Sequence, residues 1–202
     1  MLLKKRKKYL NNPEYVKIKD KKYKINTDFR VALECNKIAQ DININDTERA
    51  LAIIYKLFGD DGLNDYENHT ELLKLATKYL CLGKEPEKND EEPDMDFEQD
   101  MDYIETSFMS DYGIDLNNTE MHWWKFFNLI NGLSNSELGN CCVLNRVRNL
   151  RRFDPSTIKD SKERQRIIDA KKSVALKKNE PRLTEEQNES VEEIIKLAGL
   201  DR

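Results

Sequence analysis

From about Thr119 to Asn131 the chain reads as a helix that solvent would not tolerate on most of its circumference. At helical spacing Trp123, Trp124, Phe126, Phe127, Ile130 and Leu133 cover about half of the surface, against the ~100° stripe of an ordinary surface helix. A helix this apolar is buried on more than one side or holds a partner, so the rest of the fold has to be arranged around it. The first expectation is a central core helix; the second is that the adjacent indole rings form a partner surface. His122, at the edge of the arc, reads as a hydrogen-bonded core or boundary imidazole rather than a catalyst.

Enough other apolar residues are present to build such a core. Leu, Ile, Val and Phe make up about a quarter of the 202 residues, above the roughly one-fifth below which chains do not fold. With 36% charged side chains, one or two small soluble domains with a modest core are expected. The longest apolar run, Ala50 to Tyr55, is far short of the ~20 residues that cross a bilayer. Lys4 to Lys8 has the charge of a secretory leader but no apolar stretch behind it, so an intracellular protein is expected. Cys35, Cys81, Cys141 and Cys142 lack paired Cys-x-x-Cys spacing and read as buried reduced thiols rather than disulfides or zinc ligands.

Periodicity points to a mainly α fold, one or more small multi-helix domains with an N-terminal β-hairpin. Tyr15 to Lys19 and Lys22 to Asn26 alternate apolar with polar around Asp20 and Lys21, the pattern of a hairpin with one buried face. Helices are expected near residues 28–40, capped by Thr27 or Asp28; 46–58, capped by Asp46 and closed by Gly59; 65–82, ended by Gly83; 96–109, broken at Gly113; and 119–131. Ser134 with Glu137 resembles a capping box for 135–149. A long exposed helix over 157–177 and a last one from Thr184, with Val191, Ile194, Ile195 and Ala198 on one stripe, complete the reading. The division is a basic tail (1–14), a hairpin with three helices (15–83), an acidic linker (84–94), a helical domain (95–152) and a charged helical extension (153–202).

The net charge of -4 is distributed in blocks. Residues 1–27 and 146–178 are basic, while residues 84–105 and 180–202 are acidic. Each block alone reads as a solvated face; together they suggest segments that attract one another or a partner of mixed charge. Asp94, Asp96, Glu98, Asp102 and Glu105 fall at the ligand positions of a calcium-binding loop, but its sixth position needs Gly and holds Gln99. Phe97, Met101, Ile104 and Phe108 also keep a helical stripe through that stretch, so an acid-faced helix without metal is expected. No glycine-rich phosphate loop, His-Glu-x-x-His or Gly-x-Ser-x-Gly is present, and no cofactor or catalytic residue is assigned.

Two stretches are recognisable in combination. Ile25-Asn26-Thr27-Asp28-Phe29-Arg30 with Glu48 to Ile54 and Leu57-Phe58-Gly59 forms the first. Met95 to Asp100, Tyr112-Gly113-Ile114-Asp115-Leu116 and Met121-His122-Trp123-Trp124-Lys125-Phe126 form the second. Over residues 15–152 the chain resembles the bacteriophage gene-product-fifteen family, small proteins of Gram-positive phages and prophages with long non-contractile tails, encoded beside the tape-measure gene. The resemblance implies a non-enzymatic tail assembly chaperone that covers the tape-measure protein in the cytoplasm of an infected or lysogenic host. Tail-tube protein and self-association are further partners, and neither membrane nor nucleic acid is expected. Trp123, Trp124, Phe126 and Phe127 are the candidate packing or docking residues. A head–tail connector or minor tail protein, and a nucleic-acid-binding regulator using two N-terminal helices, are the alternatives.

Overall fold

A computed structural model describes residues 12–85, 92–135 and 141–177. The basic start and the helix expected from Thr184 lie outside the described residues, which form a mainly α fold behind an N-terminal hairpin. Strands β1 (Tyr15–Ile18) and β2 (Lys21–Lys24) precede helices α1 (Phe29–Gln40), α2 (Asp46–Leu63), α3 (His69–Leu80), α4 (Met101–Tyr112), α5 (Trp123–Asn131), α6 (Val143–Arg152) and α7 (Ser161–Ser173).

The hairpin turns at Lys19 and Asp20, one residue earlier than expected, with Val16 opposite Tyr23 and Ile18 opposite Lys21. Alternation alone cannot separate the two registers, because moving the loop by one residue shifts partners by two and leaves every side chain on its face. Either way Val16, Ile18, Tyr23 and Ile25 point inward, and the last three are buried. The Asn26 N–H donates to the Leu57 carbonyl at 2.8 Å, docking the end of the hairpin on α2. Asp65, just after α2, accepts from the Lys21 ammonium at 2.7 Å and from the Tyr23 hydroxyl.

Helix ends depart from the periodicity for local reasons. Asn45, not Asp46, caps α2, and it exchanges hydrogen bonds with Glu48 in a full capping box. Gly59 breaks the helix as expected, at φ 64 and ψ -155, and a further turn follows to Leu63. That backbone region is essentially reserved for glycine. The chain then makes a 3-10 turn over Tyr66–Asn68 before α3, later than the expected start at 65. α4 begins at Met101 because the Asp96 carboxylate accepts the Glu98 and Gln99 N–H groups. These short bonds offer the backbone an alternative to helix. α5 begins only at Trp123, the residues before it being tied across to α1. α6 starts at Val143 with Cys142 at its cap, so Ser134 is not its N-terminus; Glu137 lies outside the described residues. α7 is a shorter helix than expected, capped by Asp160 and with no buried residue.

One hydrophobic cluster runs from Ile18 in the hairpin to Leu144 in α6. It therefore joins residues 15–83 with residues 95–152 directly. Phe126 of α5 lies at its centre, stacked on Phe29 of α1 at 4.5 Å and on Phe108 of α4 at 5.2 Å. All four cysteines are free; Cys35 and Cys142 are buried, whereas Cys81 and Cys141 are only half-buried, short of the burial expected for all four. Burial pushes the Cys35 thiol up to about 12.

Hydrogen bonds from Lys21, Tyr23 and Asn68 draw the Asp65 carboxyl from its ordinary 3.8 down to about 2. Because the folded value is depressed, its contribution to stability is complete above the unfolded value and disappears as pH falls towards 2. Replacing Asp65 with Asn should lower stability at neutral pH and flatten the acid limb between about pH 4 and 2. Urea midpoints across that range check this; parallel acid limbs for the two proteins would contradict it.

Candidate functional site

The two recognisable stretches meet. Asp28 and His122 form an antiparallel bridge, with the Phe29 N–H donating to the Met121 carbonyl at 2.9 Å and the Trp123 N–H to the Thr27 carbonyl at 2.8 Å. Each bond uses a donor at a helix start that has no partner within its own helix. Asp28 caps α1 through the Arg30 N–H, and His122 caps α5 through the Trp124 N–H. The Arg30 guanidinium pairs with Asp28 and donates to the carbonyls of Leu116, Asn117 and Thr119. This holds the loop that delivers α5. Since His122 Nδ1 accepts from Trp124, Nε2 carries the proton and donates to the Pro13 carbonyl at 3.1 Å. Of the two places expected for it, core or boundary, the half-buried imidazole takes the boundary.

The four candidate side chains divide into pairs. Trp123 and Phe126 are buried, the former only 4% exposed, while Trp124 and Phe127 are half-buried. Both indoles close the C-terminus of α3: Trp123 donates to the Leu80 carbonyl at 3.0 Å and Trp124 to the Tyr79 carbonyl at 2.9 Å. Those carbonyls belong to the last turn of the helix, where acceptors lack partners within it. A side chain on Gly83 would come within 3.2 Å of the Trp124 ring, and Gly83 itself has φ +81. The preceding Leu82 also takes a left-handed conformation, with φ 59, and the N–H groups of Leu82 and Gly83 return to the Tyr79 and Lys78 carbonyls. Glycine at 83 was legible as a helix end; its contact with a tryptophan forty residues on was not.

The acidic segment is occupied by charge partners. Asp100 is buried, its side chain 1% exposed, and accepts both arms of the Arg151 guanidinium at 2.6 and 2.7 Å. Asp94 pairs with Arg148 at 3.2 Å and with Arg152. Of the calcium-loop positions, Asp94 meets arginines, Asp96 accepts from backbone N–H groups and Glu98 pairs with Lys37, and residues 94–100 form a turn, so the expected acid-faced helix begins only at Met101. Removing either Asp100 or Arg151 alone strands a buried charge, at a cost of roughly 3–5 kcal/mol.

Asp94, Arg151 and Arg152 of these pairs line a cleft of about 740 Å³ between residues 92–99, Gln40 at the end of α1, the end of α6 and the end of α7. Pro93, Met95, Ala175 and Leu176 give it apolar wall; Glu92, Asp94 and Asp96 give it carboxylates, and Arg152, Lys171, Lys172 and Lys177 give it cations. Periodicity offered no sign of it, because α7 and the acidic segment are brought together only by long-range pairing. Among the described residues no group of acids, cysteines and histidines is placed to hold a metal.

A family model described as Bacteriophage Gp15 protein matches residues 10–176. The chain belongs to the bacteriophage Gp15 family. Comparison with curated proteins and with solved structures gives no match. The Gp15 match is wider than the expected 15–152: it takes in α7 and ends at Leu176, on the wall of the cleft. Both motif stretches of this Gp15 chain lie inside it, and the structure uses them to join α1, α3 and α5. Among the described residues no helix is long and apolar enough to cross a membrane.

Trp123→Ala should cost about 3–5 kcal/mol through lost core packing. Trp124→Phe retains the ring contact with Tyr79 and gives up one hydrogen bond, so a loss of about 0.5–1.5 kcal/mol is expected. Chemical denaturation measures both. Equal, severe unfolding by the two substitutions would place Trp124 in the core and remove it as a docking residue.

Proposed function

We propose that this chain is a tail assembly chaperone that binds the tape-measure protein during tail morphogenesis, without catalysis, in the cytoplasm of the infected or lysogenic host. The observation that carries the reading is membership of a phage family over residues 10–176, together with the position beside the tape-measure gene that the family implies. A tape-measure protein is a long helical chain whose apolar faces need temporary cover until the tube closes around it. A small helical protein supplied in many copies meets that need by laying helices in grooves along the chain.

Trp124 and Phe127, on the half-buried edge of α5, are the side chains best placed to contribute to such a surface. Trp123 and Phe126 act beneath them by fixing the helix. Self-association and transient contact with tail-tube protein belong to the same reading.

Co-expression with the neighbouring tape-measure protein should move that protein into the soluble fraction. Many copies should bind per tape-measure chain, because one partner of this size shields only ~800 Å². Addition of tail-tube protein should release them, and purified virions should contain little of this chain by mass spectrometry. A tape-measure protein equally soluble alone, or a fixed small copy number in mature tails, would contradict the proposal and indicate a connector or minor tail protein.

A further inference from the structure

The cleft has a feature that the family does not account for: the chain leaves from its wall. Lys177 is a lining residue, and its backbone is held on the cleft by Gln99, whose side chain accepts from the Lys177 N–H at 2.7 Å and donates to the Lys177 carbonyl at 3.0 Å. The family match stops one residue earlier, at 176, yet the sequence continues to Arg202. We propose that the cleft is the docking site for this chain's own residues 184–199, bound in cis.

Three observations support that occupant. The first is reach: residues 178–183 span up to about 20 Å when extended, enough to turn back over the lining side chains. Such a tether holds its segment at a local concentration in the millimolar range, above that of a second copy in dilute solution.

The second is charge. The carboxylates of the lining, Glu92, Asp94 and Asp96, lie on the acidic-segment side, and Lys171, Lys172 and Lys177 lie on the side formed by the end of α7, while residues 180–202 carry seven acids against three bases. Arg151 is committed to Asp100 and Arg152 pairs with Asp94, whereas Lys171 donates only to the neutral Phe153 carbonyl, so the lysines are the cations whose charge an incoming carboxylate can meet.

The third is shape. Val191, Ile194, Ile195 and Ala198 fall on one stripe at helical spacing, and Glu185, Glu189 and Glu192 follow at i, i+4 and i+7 along its side. An apolar stripe with an acidic edge matches a cleft with an apolar wall and a row of lysines along the α7 side of its rim. The volume of about 740 Å³ falls within the roughly 300–1,000 Å³ of pockets that bury a drug-sized ligand, room for a few apolar side chains of the stripe.

Carbodiimide cross-linking of the full chain at low micromolar concentration tests the proposal, using an equal mixture of light and 15N-labelled protein and peptide mass spectrometry. The expected result is a bond from Lys171 or Lys172 to Glu185, Glu189 or Glu192, in peptides wholly light or wholly heavy. In the full-length double variant Ile194→Asp, Ile195→Asp these links should fall at least tenfold, with an unchanged thermal midpoint showing that the fold is intact. Absence of the links in the unmodified chain would overturn the proposal, as would their persistence in the double variant. Mixed light–heavy pairs would overturn it in favour of a second copy as the occupant. None of these outcomes depends on tape-measure binding, so the cleft and the chaperone reading fail separately.

Discussion

The rest of the fold depends on the antiparallel bridge between Asp28 and His122. Two backbone hydrogen bonds, from Phe29 to Met121 and from Trp123 to Thr27, fasten the first turn of α1 to the first turn of α5. Everything apolar near the middle of the molecule follows from that juxtaposition. It places the Phe29 ring 4.5 Å from Phe126, sets Phe126 against Phe108 of α4, and brings both indoles to the last-turn carbonyls of α3. Burial of these aromatic rings is the dominant favourable term. The hydrogen bonds determine which rings meet, because a buried unsatisfied donor would cost ~1–3 kcal/mol.

Charge performs a second fastening farther out. The acidic block over residues 84–105 and the basic block over 146–178 would repel within themselves if left side by side in solvent. Instead Asp94 and Asp100 meet Arg148, Arg151 and Arg152 of α6. Arginine suits the Asp100 position because its planar fork can satisfy both carboxylate oxygens at once. Further donation to the Val174 and Asp94 carbonyls makes Arg151 the point at which α6, the acidic segment and the end of α7 are joined. The cleft is a consequence of that joint.

How much of this was legible in the sequence differs between elements. Wherever a single face is buried, periodicity carried the information: the stripe of Phe97, Met101, Ile104 and Phe108 does face the core, and α1 through α5 overlap their expected places, whereas α6 starts at Val143 rather than near 135. Helix starts were less legible. Asp96, Met121 and Cys142 each hold the backbone in a local or cross-chain arrangement that outcompetes helix for a few residues, and apolar spacing has no representation of that competition. The aromatic run was legible as a helix covered on several sides. What it could not show is that Trp123 and Phe126 are inside, and Trp124 and Phe127 at the boundary, since that depends on where α3 and α4 lie. The ion pairs of the acidic segment were visible only as opposite blocks, with neither partner nor burial specified, and so a calcium loop could be read from the same aspartates.

The central claim is that the family's motif stretches act structurally, binding residues 15–83 and 95–152 into one cooperative unit through the bridge at Asp28 and His122. Native-state hydrogen exchange of the full chain across a denaturant series tests it most directly, following the amides of Phe29 and Trp123 together with those of Leu75 in α3 and Ile104 in α4. One shared opening transition for all four, with Phe29 and Trp123 exchanging only as the whole core unfolds, is the expected result. Separate transitions for the two halves, with Phe29 and Trp123 released before either, would contradict it.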